Sequence, residues 1–198
     1  MNEDVTKLEY YAELAKNNES GRRNSNTSTG SCEKEEEEDP INKYVIKVNF
    51  QIDDPNKYNR IINKLWDPDY LDSSNHPPKI VRVYNPSLVM IQRRYKDPMY
   101  DRQKYFYAFV KKTQVSKDKT IIAMTSANIN DHNPSKKTYK NKIIENANLF
   151  TIDIDSEDDI RNGKIQKTYV NIAGYLIEKK DNHVDVTYVE SIDGNNPF

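Results

Sequence analysis

Hydrophobic and polar positions divide the chain into three parts. In residues 1–16, Val5, Leu8, Ala12 and Ala15 recur at intervals of three and four, with Tyr11 beside them. That spacing predicts one amphipathic helix. Residues 17–39 hold no aliphatic or aromatic side chain; Asn, Ser, Thr, Gly and the run Glu33–Asp39 fill them. A segment that buries nothing cannot offset its ordering entropy, so 17–40 reads as a disordered acidic and polar linker. The third part, 41–198, carries the patterns of a folded domain.

That domain opens with a strand. Tyr44, Ile46, Val48, Phe50 and Ile52 alternate with mostly polar neighbours, the period of a half-buried strand. Asp54-Pro55 then supplies a cap and a first helical residue. Tyr58, Ile61, Ile62, Leu65 and Trp66 follow at helical spacing, with Trp66 expected to pack on the sheet. After a loop over 67–78, strands are predicted at 80–84, 87–95, 104–114, 120–127, 164–178 and 183–192. The stretch 139–154 fits either a strand or a short helix. Residues 155–163 read as an acidic turn. Strands joined by short turns make a mainly antiparallel sheet, and with two helices the class is α+β. The segment Tyr105–Val110 is apolar on both faces. One face meets the core; the other meets a helix, a partner or a bound apolar ligand.

Composition narrows the function. Hydrophobic residues are 35% of the chain, below the ~45–50% of an ordinary globular chain, and that average hides strongly apolar stretches beside others with almost nothing to bury. The net charge of −1 argues against a dedicated nucleic-acid binder. A single cysteine, Cys32, excludes a disulfide framework. Five glycines form no phosphate loop, and there is no GxSxG elbow. His76, His132 and His183 fall in separate loops. The acidic stretch at Asp153–Asp159 lacks the glycine and glutamate of a calcium loop. No catalytic residue, metal site or cofactor is therefore expected. Arg93, Arg94, Lys96, Arg102, Lys104, Lys111 and Lys112 interleave with tyrosines, a pattern open to single-stranded nucleic acid, a lipid headgroup or plain solvation.

Longer strings carry a likeness. Tyr58-Asn59-Arg60-Ile61-Ile62-Asn63-Lys64-Leu65-Trp66-Asp67-Pro68, Lys79-Ile80-Val81-Arg82-Val83-Tyr84-Asn85-Pro86, Asp101–Ala108, Ile121–Pro134, Val170–Glu178 and Glu190–Gly194 resemble the fam-a proteins of rodent malaria parasites. That family is similar to the START lipid-transfer domains, whose Trp-Asp helix end and strand-opening Arg match Trp66-Asp67 and Arg102. The resemblance implies a helix-grip fold, with a curved antiparallel sheet around a long C-terminal helix. It implies no enzyme. The implied activity is binding of a phospholipid cargo, phosphatidylcholine above all, and its transfer between membranes. The alternative is an interaction module that uses the same fold to bind a protein or single-stranded nucleic acid. A monomer or weak self-association and a transient membrane contact are expected. The resemblance also implies export to the parasitophorous vacuole or the host erythrocyte. The acidic start has no signal-peptide core, which keeps a cytoplasmic location open.

An inward Ala108 makes Phe106 and Val110 inward as well. The same alternation suggests Ile122 and Met124 on the next strand, and Val184, Val186 and Tyr188 on the last, as lipid-lining residues. Arg102, Lys104 and Tyr107 are the headgroup candidates. The family's lid helix would follow Gly194, whereas only four residues remain after it. Either the N-terminal helix enters the groove, or the groove stays open.

Overall fold

The computed structural model describes residue 3 and residues 5–10, 45–67, 78–97 and 101–194. The expected linker at 17–40, Cys32, His76, most of the loop at 67–78 and the residues after Gly194 lie outside the described residues.

Seven strands form one antiparallel path in which the first strand pairs with the last. The order is β1 (Ile46–Asp53), β10 (His183–Asp193), β9 (Tyr169–Lys179), β5 (Lys119–Thr125), β4 (Gln103–Ser116), β3 (Leu88–Lys96) and β2 (Lys79–Asn85). A short β8 (Gln166–Lys167) pairs parallel with the start of β4, at Lys104 and Tyr105. Between β5 and β8 the chain leaves the sheet, forming a small parallel pair, β6 (Asn128–Asn130) with β7 (Thr151–Asp153). A 3-10 turn at Glu145–Leu149 stands where the sequence allowed a strand or a short helix. The expected acidic turn contains a short helix, α3 (Asp158–Arg161).

Three apolar clusters account for the packing. One face of the sheet gathers Phe106, Ala108, Val110, Ile122 and Met124 under the helix α2 (Tyr58–Trp66). This helix begins where expected: the Asp54 carboxylate accepts the Asn56 N–H at 2.9 Å, and Pro55–Lys57 is a 3-10 turn leading into it. The opposite face has two clusters. Met90, Tyr105, Tyr107 and Phe109 meet Ile129, Ile154, Ile160 and Ile165 of the 126–168 excursion. Ile121, Ile172, Leu176 and Val189 meet Val5 and Leu8 of the N-terminal helix α1, described over 5–10. Strand β4 is thus buried on both sides by the chain itself.

The placement of α1 decides one alternative left open by the sequence. Val5 and Leu8 pack on the face away from α2, with Glu9 paired to Lys119 at 2.5 Å. The described part of α1 therefore does not enter the groove.

The excursion is tied to the sheet edge by charge. Lys79 donates to Glu157 at 2.8 Å, Gln92 to Glu157 at 2.7 Å, and Arg94 to Asp159 at 3.0 Å. Burial pushes the Glu157 carboxyl up, but hydrogen bonds from Lys79 and Gln92 outweigh this and hold it at about 2. A folded-state pKa below the unfolded one adds stability above the unfolded value and loses it as pH falls through the folded value. Stability is expected to drop between pH 4.5 and about 2, and the Glu157→Gln variant to show a shallower drop there. Acid titration followed by circular dichroism checks this; identical acid limbs would contradict it.

Candidate functional site

The face under α2 is a bowl. On a flat sheet, Arg93 of β3 would lie three and four strand spacings from β9 and β10, roughly 14 and 19 Å at ~4.8 Å per strand. Its charge nevertheless acts on both Tyr175 of β9 and Tyr188 of β10. The sheet curves enough for Val89 and Ile91 of β3 and Tyr175 of β9 to line one hollow.

Strand alternation and register decide which side chains enter it. Ala108 is paired with Ile91, Phe106 with Arg93, and Val110 with Met124. Ile122 is opposite Tyr175, Val186 opposite Ile177, and Tyr188 opposite Tyr175. Of the eight expected lining residues, Phe106, Ala108, Val110, Ile122, Met124, Val184 and Val186 belong to the single cluster under α2. Tyr188 shares their face, with its ring centroid 4.9 Å from that of Tyr175.

One end of the bowl is apolar and roofed. Tyr58 shares a hydrogen bond with Thr120 at 2.8 Å and anchors the start of α2 over β5. The helix ends with Trp66, whose ring lies 4.9 Å from the Lys112 ammonium. Beneath Leu65 and Trp66 is a cavity of about 410 Å³ whose floor includes Val89, Ile91, Val110, Ile122 and Met124. That volume lies within the ~300–1,000 Å³ of small-molecule sites.

Trp66 is half-buried. Its replacement by alanine is therefore expected to cost about 1–3 kcal/mol, less than the ~3–5 of a fully buried aromatic. As the sole tryptophan at the cavity wall, it should shift its emission to the blue when an apolar ligand enters. Urea titration and fluorescence check the two statements.

The other end is polar. Lys104 is buried, paired with Asp97 at 2.6 Å, and donates to the Gly194 carbonyl at 3.1 Å. Tyr95 donates to Thr168 at 3.1 Å. These bonds draw β3 and β4 towards the ends of β9 and β10. Arg93 shares the face of Tyr95 and Lys104, one same-face pair further along the ladder. Its Nε is buried without a hydrogen-bond partner, and its guanidinium makes no ion pair among the described residues. Around it stand Tyr175, Tyr188 and Glu190, the last accepting from the Tyr188 hydroxyl. Burial pushes both phenols above their ordinary range, with Glu190 adding to the effect and Arg93 opposing it. Both tyrosines therefore stay neutral.

The expected headgroup residues fall elsewhere. Arg102 is exposed and lines an outer cleft. Tyr107 follows Phe106 in an extended strand, so alternation turns it to the opposite face, where it accepts a bond from Gln92 at 2.8 Å. Lys104 has the right alternation, but its charge is held by Asp97. Alternation also divides the basic–tyrosine stretch: Arg93, Lys104 and Lys112 share one face, while Arg94 pairs with Asp159 on the other. These cations form no continuous stripe. Sequence reasoning named Arg93 only within the basic–tyrosine cluster and did not single out Tyr175 or Glu190; the pairing of Arg93 with Phe106 is what places it on the bowl face. Among the described residues, no group of three or more His, Cys, Asp or Glu is arranged to hold a metal ion.

No protein-family model matches the chain, and no curated protein matches its sequence. Solved structures do match its shape. The human STARD10 crystal structure aligns over 88% of this chain and 61% of its own, at 14% identity and a TM-score of 0.55. The human StarD13 (DLC2) lipid transfer and protein localization domain aligns over 94% and 83%, at 13% identity and a TM-score of 0.51. Human StAR-related lipid transfer protein 5 aligns over 98% and 86%, at 9% identity and a TM-score of 0.50. This chain thus spans less than two thirds of the first of these structures. At such identities the likeness speaks to architecture: a large curved antiparallel sheet with few helices, which is the START-domain, helix-grip fold.

Proposed function

We propose that the chain is a non-enzymatic carrier that holds one phospholipid in the bowl and moves it between membranes. The acyl end occupies the cavity under Leu65 and Trp66, and the headgroup lies at the Arg93 end. The observation that carries this reading is Arg93, which has no hydrogen-bond or ion-pair partner among the described residues, at the polar end of a bowl whose other end is apolar. Arg93 is half-buried, with its Nε shielded from solvent and unsatisfied, and a lipid phosphate supplies a partner with charge-assisted hydrogen bonds.

The surrounding groups favour phosphatidylcholine. A quaternary ammonium gains from the faces of Tyr175 and Tyr188 by cation–π attraction and from the Glu190 carboxylate beside them. The headgroup's opposite charges then meet opposite charges of the protein. Acyl tails leave one apolar medium for another, so extraction is close to balanced and the polar end sets selectivity. The strings that resemble fam-a proteins point the same way, and export to the vacuole or host red cell belongs to the same reading.

The test is transfer of labelled phosphatidylcholine between vesicles. Arg93→Gln is expected to slow transfer by about tenfold, the loss of one charge-assisted bond. Lys57→Gln, on an exposed residue beside α2, is expected to leave it unchanged. No transfer by the unaltered chain, or equal rates for it and Arg93→Gln, would contradict the reading.

A further inference from the structure

A second cleft, of about 950 Å³, lies outside the bowl where the start of β4 meets the 126–168 excursion. Its charges are not matched to one another. Two carboxylates line it, and both are engaged by cations from outside its walls: Asp101 by Lys96, and Asp159 by Arg94. Lys167 is also engaged, donating to the Ile129 carbonyl at 2.9 Å and to Asp131 at 3.0 Å. Three other cations remain. The exposed side chains of Arg102 and Lys164 have no hydrogen-bond or ion-pair partner among the described residues. The Lys137 ammonium lies 4.9 Å from the centre of the Tyr139 ring and is paired with no carboxylate among the described residues.

The wall that carries these groups is braced. Tyr139 stacks on Tyr169 with centroids 5.4 Å apart and planes 5° from parallel. Its hydroxyl donates to the Lys167 carbonyl at 2.7 Å. Asn133 donates to the Ile160 carbonyl at 3.0 Å and accepts the Ser135 N–H at 2.9 Å. The loop between 133 and 139 is thus held against α3 and β8.

We propose that this cleft binds a phosphate monoester, with Arg102 offering paired N–H donors and Lys137 and Lys164 flanking it. Three cations around one cleft suit a group of about two negative charges better than a carboxylate of one. Arg supplies the planar fork that phosphate oxygens accept, and lysines act as point charges. The group can come from a soluble phosphate or from an anionic lipid such as phosphatidic acid. The inference does not depend on the lipid-carrier reading, because the cleft shares none of the bowl's lining residues.

Two double variants with the same change in net charge test it. Arg102→Gln with Lys164→Gln alters the cleft. Lys57→Gln with Lys117→Gln alters exposed lysines at the far end of the sheet. The probes are inorganic phosphate, by calorimetry, and phosphatidylcholine vesicles with and without phosphatidic acid, by flotation. The cleft variant is expected to bind at least tenfold more weakly, the loss of charge-assisted contacts, while the control binds as the unaltered chain does. A response to inorganic phosphate assigns a soluble source; a response only to phosphatidic acid vesicles assigns the lipid. No binding of either probe by the unaltered chain, or equal losses in the two variants, would overturn the proposal.

Discussion

Replacement of Gly174 by alanine is expected to remove a large part of the protein's stability. Gly174 lies within β9, opposite Ala123 on one side and Val189 on the other. Its φ of +148° is a conformation that L side chains rarely adopt, and an added Cβ would come 2.0 Å from the Ile122 carbonyl oxygen. That oxygen is backbone in the neighbouring strand and cannot turn aside. Backbone strain costs about 1–3 kcal/mol, and forcing β9 from β5 adds a further ~1–3 kcal/mol. Against a total of roughly 5–15 kcal/mol for a typical domain, the variant should keep its fold only marginally and unfold at a much lower urea concentration. Urea denaturation with matched m-values checks it; a midpoint close to that of the unaltered chain would show that β9 does not run this tightly against β5.

Filling the cavity should have the opposite character, with the fold kept and the cargo lost. Val110 projects from β4 into the space beneath Trp66, beside Met124. In Val110→Trp, the indole takes up space that an acyl chain would occupy. Overpacking of a full core costs about 1–3 kcal/mol, but this residue borders a cavity of about 410 Å³, so the cost should lie at the low end of that range. Phosphatidylcholine transfer is expected to fall at least tenfold, the effect of losing roughly 1.4 kcal/mol of binding. A folded variant that transfers at the unaltered rate would place the acyl chains elsewhere.

Local periodicity was legible where burial is one-sided. Tyr58, Ile61, Ile62, Leu65 and Trp66 mark α2 because only one stripe of that helix meets the sheet. The start of β10 likewise separates the two faces, with Val184 and Val186 in the bowl's cluster and Asp185 between them not. Strand β4 was ambiguous because it is apolar on both sides. The outer cover turns out to be the excursion at 126–168, which is rich in polar residues and offers only single contacts such as Ile129, Ile154 and Ile160.

What periodicity could not reveal was pairing. That β1 lies beside β10, at the far side of the sheet from β2, depends on contacts between distant parts of the chain. The headgroup end suffers from the same gap. Arg93 is unremarkable beside Arg94 in sequence; only the register with Phe106 and the curvature towards Tyr175 and Tyr188 give it a role. Lys104 and Arg102 stand out in sequence because they open an apolar strand. Yet Asp97 claims the first, and the second lies outside the bowl.

The central claim is that this bowl holds a phospholipid. Native mass spectrometry of the full chain, purified and then incubated with phosphatidylcholine vesicles, tests it most directly. The account predicts a species heavier than the chain by the mass of one phospholipid, released as an intact lipid on collisional activation. The bare chain alone, in repeated preparations and after incubation, would contradict it.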